Sequence, residues 1–239
     1  MTVGTEGSYA ELRAAPEWLC WAIPRGLSAD EAACIPLAFG TAHDALFEFG
    51  RLQPGETVLI QAGAGGVGIA AVQLAKRAGA RVLATASSDQ KLKRLTGLGV
   101  DHGINYRTTS FTDEVGRITG GRGADLVVDS VGGKTLRDSL RCLAYRGRCV
   151  SVGDAGRQSG TSIDVPMLRP ANRTLTGYFL GAELASGQRA HQMIAKLLRE
   201  VASGHLRVII DRTFPLAEAA AAHAYIEGRQ AFGRVLLRP

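Results

Sequence analysis

Glu56-Thr-Val-Leu-Ile-Gln-Ala-Gly-Ala-Gly-Gly-Val-Gly68, which runs on into Ile69-Ala-Ala-Val-Gln-Leu-Ala75, joins two apolar patterns through a glycine cluster. The first is a short run rich in β-branched residues, and the second has helical spacing. Gly63, Gly65 and Gly68 fit G-x-G-x-x-G, with Gly66 and Val67 inside it. A strand in front and a helix behind give this short motif its meaning. Gly63 is expected to allow a tight turn, Gly65 a close backbone approach to a pyrophosphate, and Gly68 close helix–strand packing. Free N–H groups and the positive helix end then favour phosphates. A glycine turn without a ligand is the competing reading, and the flanking patterns favour dinucleotide binding.

Outward from this stretch the chain alternates strand and helix. Strands are predicted over 57–61, 81–85, 102–104, 125–129 and 148–152. Helices are predicted over 66–78, 89–98, 111–119 and 134–143. Short glycine-marked loops separate them. Repeated β-α units with right-handed crossovers make an α/β fold, a doubly wound parallel sheet of the Rossmann kind. A polar loop follows over 154–173, then a strand over 174–180. Helices over 190–201 and 216–226 and strands over 206–210 and 234–237 complete the reading. Before the glycine loop, 7–12 alternates like a strand. Ser28-Ala-Asp-Glu31 reads as a capping box opening a helix that Pro36 should break or kink, with more helix over 41–47.

The 239 residues suffice for a large core, and 46% hydrophobic with 21% charged residues is ordinary for a globular chain. No apolar run is long enough to cross a membrane. Residues 1–7 lack the basic and apolar regions of a secretory signal, which points to the cytoplasm. Cys20, Cys34, Cys142 and Cys149 form no C-x-x-C pair or zinc-spaced cluster, so reduced, mostly buried thiols and no metal site are expected. The net charge of +6 is spread along the chain without a dense basic run, so nucleic acid is not the expected partner.

Cofactor choice is read at the end of the second strand. A carboxylate there binds the ribose 2′-OH of NAD. Here the segment is Leu83-Ala-Thr-Ala-Ser-Ser88, with Lys91, Lys93 and Arg94 following. Hydroxyls and a lysine suit a 2′-phosphate, so NADP(H) is the expected cofactor. Asp89 is the counter-evidence. It is read as a helix-start residue, where the dipole favours negative charge.

Several further segments occur in order: Gly7-Ser-Tyr-Ala-Glu11, Ile35-Pro-Leu-Ala-Phe-Gly-Thr-Ala42, Leu52-Gln-Pro-Gly-Glu-Thr-Val-Leu-Ile60, Ile104-Asn-Tyr106, Asp129-Ser-Val-Gly-Gly133 and Phe232-Gly-Arg-Val-Leu-Leu237. With the glycine loop, this set resembles the medium-chain dehydrogenase/reductase superfamily, in its zinc-independent quinone oxidoreductase (zeta-crystallin-like) branch. The resemblance implies that Gly65, Gly66 and Val67 form the pyrophosphate loop. It implies Ser87, Lys91 and Tyr106 as 2′-phosphate and adenosine contacts, and Arg229 as another phosphate-binding arginine. Ser130, Val131 and Gly153 would end strands beside the cofactor. Thr41, Phe179 and Leu180 would neighbour the nicotinamide, and the strand near 174–180 would pair two copies into a homodimer. Tyr106 as a packed aromatic and Thr41 as a helix cap are the structural alternatives.

The resemblance also implies a GroES-like β domain, of which only a remnant over 1–37 matches this sequence. A dinucleotide-binding domain would cover 38–185. The last Rossmann helix and strand, with a returning segment, would cover 186–239. The segments expected to hold zinc-ligand positions and most substrate contacts have no counterpart here. Exposed apolar surface is therefore expected at Trp18, Leu19 and Trp21. The expected activity is hydride transfer from NADPH to a quinone or an activated carbon–carbon double bond, an enone or enoyl group, with no catalytic side chain assigned. An enoyl-reductase domain of a larger synthase is a near relative of this reading. An NADP(H)-binding module without turnover is the alternative of another class.

Overall fold

Val58, Leu59 and Ile60 show no exposure, nor do Val82, Leu83, Ala84, Leu126, Val127, Cys149 and Val150. Strands apolar on both faces in this way belong to a parallel sheet covered on both sides. The computed structural model describes residues 1–4, 7–158 and 161–239. It divides into two compact units, one of Ala42–Tyr178 and one of Met1–Thr41 with Phe179–Pro239.

The first unit holds six parallel strands: β1 (Thr57–Ile60), β2 (Arg81–Ala86), β3 (His102–Asn105), β4 (Ala124–Asp129), β5 (Leu143–Ser151) and β6 (Thr174–Gly177). Their order is β3-β2-β1-β4-β5-β6. This is the doubly wound dinucleotide-binding order, with its switch point between β1 and β4. The crossover helices are α2 (Gly66–Arg77), α3 (Asp89–Thr96), α4 (Phe111–Ile118) and α5 (Gly133–Arg141). Leu59, Leu83, Ile104, Val127, Leu140 and Cys149 share one cluster of this core. Each buried aliphatic side chain of this size contributes about 2 kcal/mol through removal from water.

The second unit carries most of α1 (Ala29–His43) and then α6 (Leu180–Ser186), α7 (Gln188–Ala202), β7 (Ile210–Pro215), α8 (Ala219–Glu227) and β8 (Arg234–Arg238). Here β7 and β8 pair in parallel. The capping box forms as read. The Ser28 hydroxyl donates to Glu31 Oε2 at 2.6 Å, and the Glu31 N–H donates to Ser28 Oγ at 3.2 Å.

Several expectations are corrected. Pro36 lies inside α1, which continues to His43. Proline removes one helical hydrogen bond, but Ala32, Ile35, Ala38, Phe39 and Ala42 are all buried along this helix, and their packing offsets the loss. Residues 7–12 form no strand. Residue 6, like residues 5, 159 and 160, lies outside the described residues, so part of the 154–173 loop does too. The strand read at 206–210 begins instead at Ile210. After α7 ends at Ala202, a turn over residues 203–206, with the His205 and Leu206 N–H groups both donating to Glu200 O, and an irregular stretch over 207–209 precede it. The strand read at 174–180 stops at Gly177, because α6 starts at Leu180.

Trp21 is buried rather than exposed. Its ring stacks on His191 at 4.6 Å between centroids, and its Nε1–H donates to the His191 carbonyl at 3.0 Å. A partner 170 positions away is invisible to local pattern. Leu12 (90%) and Trp18 (52%) remain exposed. The native chain should therefore raise ANS fluorescence, and Leu12→Ser with Trp18→Ser should remove most of that rise without moving the urea midpoint. An unchanged signal in the double variant would locate the dye elsewhere.

Candidate functional site

The turn from β1 into α2 sits at the carboxyl end of β1, beside the switch point. Its glycines differ in what they do. A Cβ on Gly63 would meet Ala84 Cβ at 2.9 Å and Leu95 Cδ1 at 3.1 Å. One on Gly68 would meet Ala62 O at 2.4 Å and Gly63 Cα at 2.7 Å. Both positions are bare because the fold closes on them. The left-handed residue of the turn is Ala62, at φ 52°, so Gly63 serves packing rather than backbone conformation. Gly65 is exposed, with an ordinary φ of −81°, and its Cβ would meet only Ala62 O, at 3.3 Å. It is also the N-cap of α2 and supplies no side-chain cap. The first intrahelical donor is Ile69, to Gly65 O at 2.9 Å. The N–H groups of Gly66, Val67 and Gly68 precede it and make no intrahelical bond.

The loop rests on a buried polar chain. The Ala62 N–H donates to Thr85 Oγ1 at 3.1 Å, and the Thr85 hydroxyl donates to Gln61 Oε1 at 2.7 Å. Gln61 Nε2 donates to Ser139 Oγ at 3.1 Å, whose hydroxyl donates to Asp129 Oδ2 at 2.9 Å. Asp129 Oδ1 accepts from the Val131 N–H at 2.9 Å and the Gly132 N–H at 2.8 Å. Gln61, Thr85, Asp129 and Ser139 are all essentially without exposure. The chain ties the ends of β2, β1 and β4 to α5. Burial pushes the Asp129 carboxyl above the usual carboxylate range, against the two N–H groups and the Ser139 hydroxyl, which favour the anion.

Sequence reasoning missed this set. Its signal was a single polar residue ending each apolar run: Gln61 after 57–60, Thr85 within 81–86, and Asp129 at the end of 124–129.

The other sequence-derived residues fall in two groups. Ser87 follows β2, Lys91 lies in the first turn of α3, Tyr106 follows β3, Ser130 and Val131 follow β4, and Gly153 follows β5. All stand with Gly63, Gly65, Gly66, Val67 and Gly68 at the carboxyl ends of the strands. Ser88 caps α3 by accepting from the Lys91 N–H at 3.4 Å. Asp89 is the exposed first residue of α3 and accepts from Asn105 Nδ2 at 2.9 Å. Thr41, Phe179, Leu180 and Arg229 belong to the second unit. There Thr41 is buried within α1, Phe179 is exposed, Leu180 is buried, and Arg229 follows α8 at φ 55°.

Burial pushes the Cys142 thiol up to about 12 and Cys149 well above the usual thiol range, so neither is a ready nucleophile. Among the described residues no three His, Cys, Asp or Glu side chains gather to hold a metal ion, and no helix is long and apolar enough to cross a membrane.

A glycine turn, a bare helix N-terminus and a switch point define a doubly wound dinucleotide-binding unit. The zinc-binding dehydrogenase family profile matches residues 66–202. The 2-haloacrylate reductase of Burkholderia sp. is 36% identical over 98% of this chain and 71% of its own length. A mycocerosic acid synthase-like polyketide synthase of Mycolicibacterium smegmatis is 33% identical over 98% of this chain, which spans 11% of that synthase. The Escherichia coli quinone oxidoreductase, solved in complex with NADPH, superposes with a TM-score of 0.87 at 30% identity, over 97% of this chain and 72% of that one. This chain therefore belongs to the medium-chain dehydrogenase/reductase superfamily, in its quinone oxidoreductase branch.

Removing the Asp129 carboxylate would leave two buried N–H groups and a hydroxyl unpaired. Asp129→Ala should cost about 3 kcal/mol in urea unfolding. A raised folded-state pKa means that the native chain keeps this proton to higher pH than the unfolded chain. Its contribution is then full below the unfolded value and is lost as pH rises through the folded one. Asp129→Asn should flatten that segment of the stability–pH curve, and an unchanged curve would assign it to other groups.

Proposed function

We propose that the chain is the nucleotide-binding part of an NADPH-dependent reductase acting on quinones or activated carbon–carbon double bonds. The observation that carries this reading is Gly65. Packing explains why Gly63 and Gly68 are glycine, but Gly65 is exposed, beside an uncapped helix N-terminus, and its Cβ would meet a single atom, Ala62 O at 3.3 Å, tight but short of the clashes at Gly63 and Gly68. A side chain there would project from the open start of α2, where the Gly66, Val67 and Gly68 amides are left for an outside acceptor. The NADPH complex of the E. coli relative and the name of the Burkholderia relative support the cofactor and the substrate class.

The residues fit a dinucleotide phosphate. The Gly66, Val67 and Gly68 amides, with the helix dipole, favour a pyrophosphate. Ser87 and Lys91 favour a 2′-phosphate, and the absence of a strand-end carboxylate removes the repulsion that would oppose it. Tyr106 offers an aromatic face at 39% exposure. In this reading Ser130, Val131 and Gly153 flank the adenosine half, Thr41, Phe179 and Leu180 neighbour the nicotinamide, and Arg229 adds a phosphate contact. When bound, the cofactor supplies the hydride chemistry. The chain's own contribution is position and electrostatics: the polar chain beneath Ala62 fixes the loop, and the loop presents its amides to the phosphates. No side chain is assigned as proton donor.

Residues 38–185 are the dinucleotide-binding domain in this proposal, 1–37 belong to the GroES-like side, and 186–239 return to it. A second copy pairs through β6, the last strand of the sheet. An enoyl thioester is the substrate variant favoured by the likeness to the polyketide synthase, which covers nearly all of this chain.

Titration of the chain with NADPH and NADH tests the cofactor reading. A quinone, a 2-haloacrylate and an enoyl thioester form the turnover panel. Lys91→Ala should weaken NADPH about tenfold and leave NADH nearly unchanged, as expected for loss of one charge-assisted contact. Gly65→Val should abolish binding of both. Equal losses for the two cofactors in Lys91→Ala would remove the 2′-phosphate role, and unimpaired binding in Gly65→Val would remove the pyrophosphate reading.

A further inference from the structure

At the amino-terminal edge of the same sheet, opposite the glycine loop, lies a cavity of about 610 Å³. Arg51, Glu56, Tyr145, Arg146, Arg148 and Asn172 line it. Arg148 is spent on structure. Its Nε donates to Gly50 O at 2.6 Å, its Nη1 to Asp125 O at 3.0 Å, and its Nη2 pairs with Glu56 Oε2 at 2.5 Å. Glu56 also accepts from the Gln53 N–H at 2.8 Å, so this ion pair forms a neutral, fully bonded wall. The Arg51 and Arg146 side chains have no such bonds among the described residues, and both are exposed. They leave the cavity with two positive charges that no described residue neutralises.

The local backbone sets where these residues point. Among the described residues six non-glycine positions have positive φ, and three of them line this one cavity: Arg51 (48°), Arg146 (58°) and Asn172 (50°). Two of these lie at helix C-termini, where left-handed backbone is usual: the Leu52 N–H donates to Leu46 O at 2.9 Å just after Arg51, and the Arg173 N–H to Leu168 O at 3.0 Å just after Asn172. At Arg146, which follows no helix, the conformation costs about 1 kcal/mol. Arg146 also lies in a bulge. Between the pairs Ala124↔Leu143 and Leu126↔Arg148, two steps along β4 are matched by five along β5. Bulges re-aim side chains, and this one turns out Tyr145, at 68% exposure, and Arg146. Asn172 Nδ2 donates to Tyr145 Oη at 3.2 Å, which leaves the phenol proton to be donated elsewhere.

We propose that this cavity binds the dianionic phosphate group of a small phosphomonoester, through the Arg51 and Arg146 guanidiniums and the Tyr145 hydroxyl. Two planar forks suit phosphate oxygens bidentately, and two uncompensated charges match a dianion. The polar, open lining excludes an apolar ligand. The site lies at the opposite edge of the sheet from the glycine loop and does not depend on the cofactor reading.

The test is a titration of the isotope-labelled 239-residue chain with inorganic phosphate, at constant ionic strength set by chloride. The readouts are the side-chain amide of Asn172 and the backbone amide of Tyr145, both in residues that line the cavity. Saturable shifts at both are expected. Arg51→Asn and Arg146→Asn should each weaken binding about tenfold, since each removes one charge-assisted fork. Asparagine accepts the left-handed backbone, so the fold is kept. Arg51→Lys and Arg146→Lys, which keep the charge and lose the fork, should fall between. Shifts that grow linearly with phosphate, shifts that chloride reproduces, or Asn variants that bind like the parent chain would each overturn the proposal.

Discussion

The candidate site depends on one constraint: polar atoms buried under the glycine loop must all find partners. An unpaired amide or carboxylate in this core would cost more than a typical hydrogen bond returns. The chain from the Ala62 N–H through Thr85, Gln61 and Ser139 to Asp129 meets that demand with each hydroxyl and each amide used. It has one direction of donation and ends on an acceptor-only group. Asp129 then holds the next turn through the Val131 and Gly132 amides. Two loops on either side of the switch point are thus set by one network, and neither can shift without breaking the other's bonds.

This constraint explains the division of labour among the glycines. Because Ala62 is held by Thr85, its carbonyl points where a Cβ on Gly68 would stand, 2.4 Å away. Gly68 is therefore fixed by the loop, and Gly63 by the packing of β2 and α3. Gly65 alone lies outside these requirements, at the open end of α2. In space the motif is two residues that a Cβ would force into a clash and one, Gly65, that is exposed and limited only by Ala62 O at 3.3 Å.

Much of the fold was legible because parallel β-α units announce themselves in periodicity. The runs at 57–60, 81–86 and 124–129 are apolar on both faces, and glycines mark the ends of the helices between them. The ends of elements were less legible. Pro36 stays helical because of burial contributed by distant residues, and Trp21 is covered by His191, far along the chain. The loop residues of the candidate site were readable from spacing, since a phosphate-binding turn is local. Gln61, Thr85 and Ser139 were not, because their meaning lies in which strands become neighbours.

The two edges of the sheet place charge by different means. At the carboxyl edge the positive potential comes from backbone amides and a helix dipole, which no side-chain substitution elsewhere removes. At the amino edge it comes from arginines, and there the fold separates structural from free charge. Arg148 binds Glu56 and three carbonyls, so it links the entry of β1 to β4 and β5. Arg122 does the same for Asp125, whose carboxyl burial would push up, but whose bonds to Arg122 and the Thr57 N–H hold it below the usual range. Those pairs need ordinary backbone and have it. Left-handed backbone falls instead on Arg51 and Arg146, whose side chains bond to no described residue. At Arg51 that backbone closes a helix end, with the Leu52 N–H on Leu46 O, and so has a structural return; at Arg146 it lies in the β5 bulge, where a glycine would relax it and an arginine stands instead.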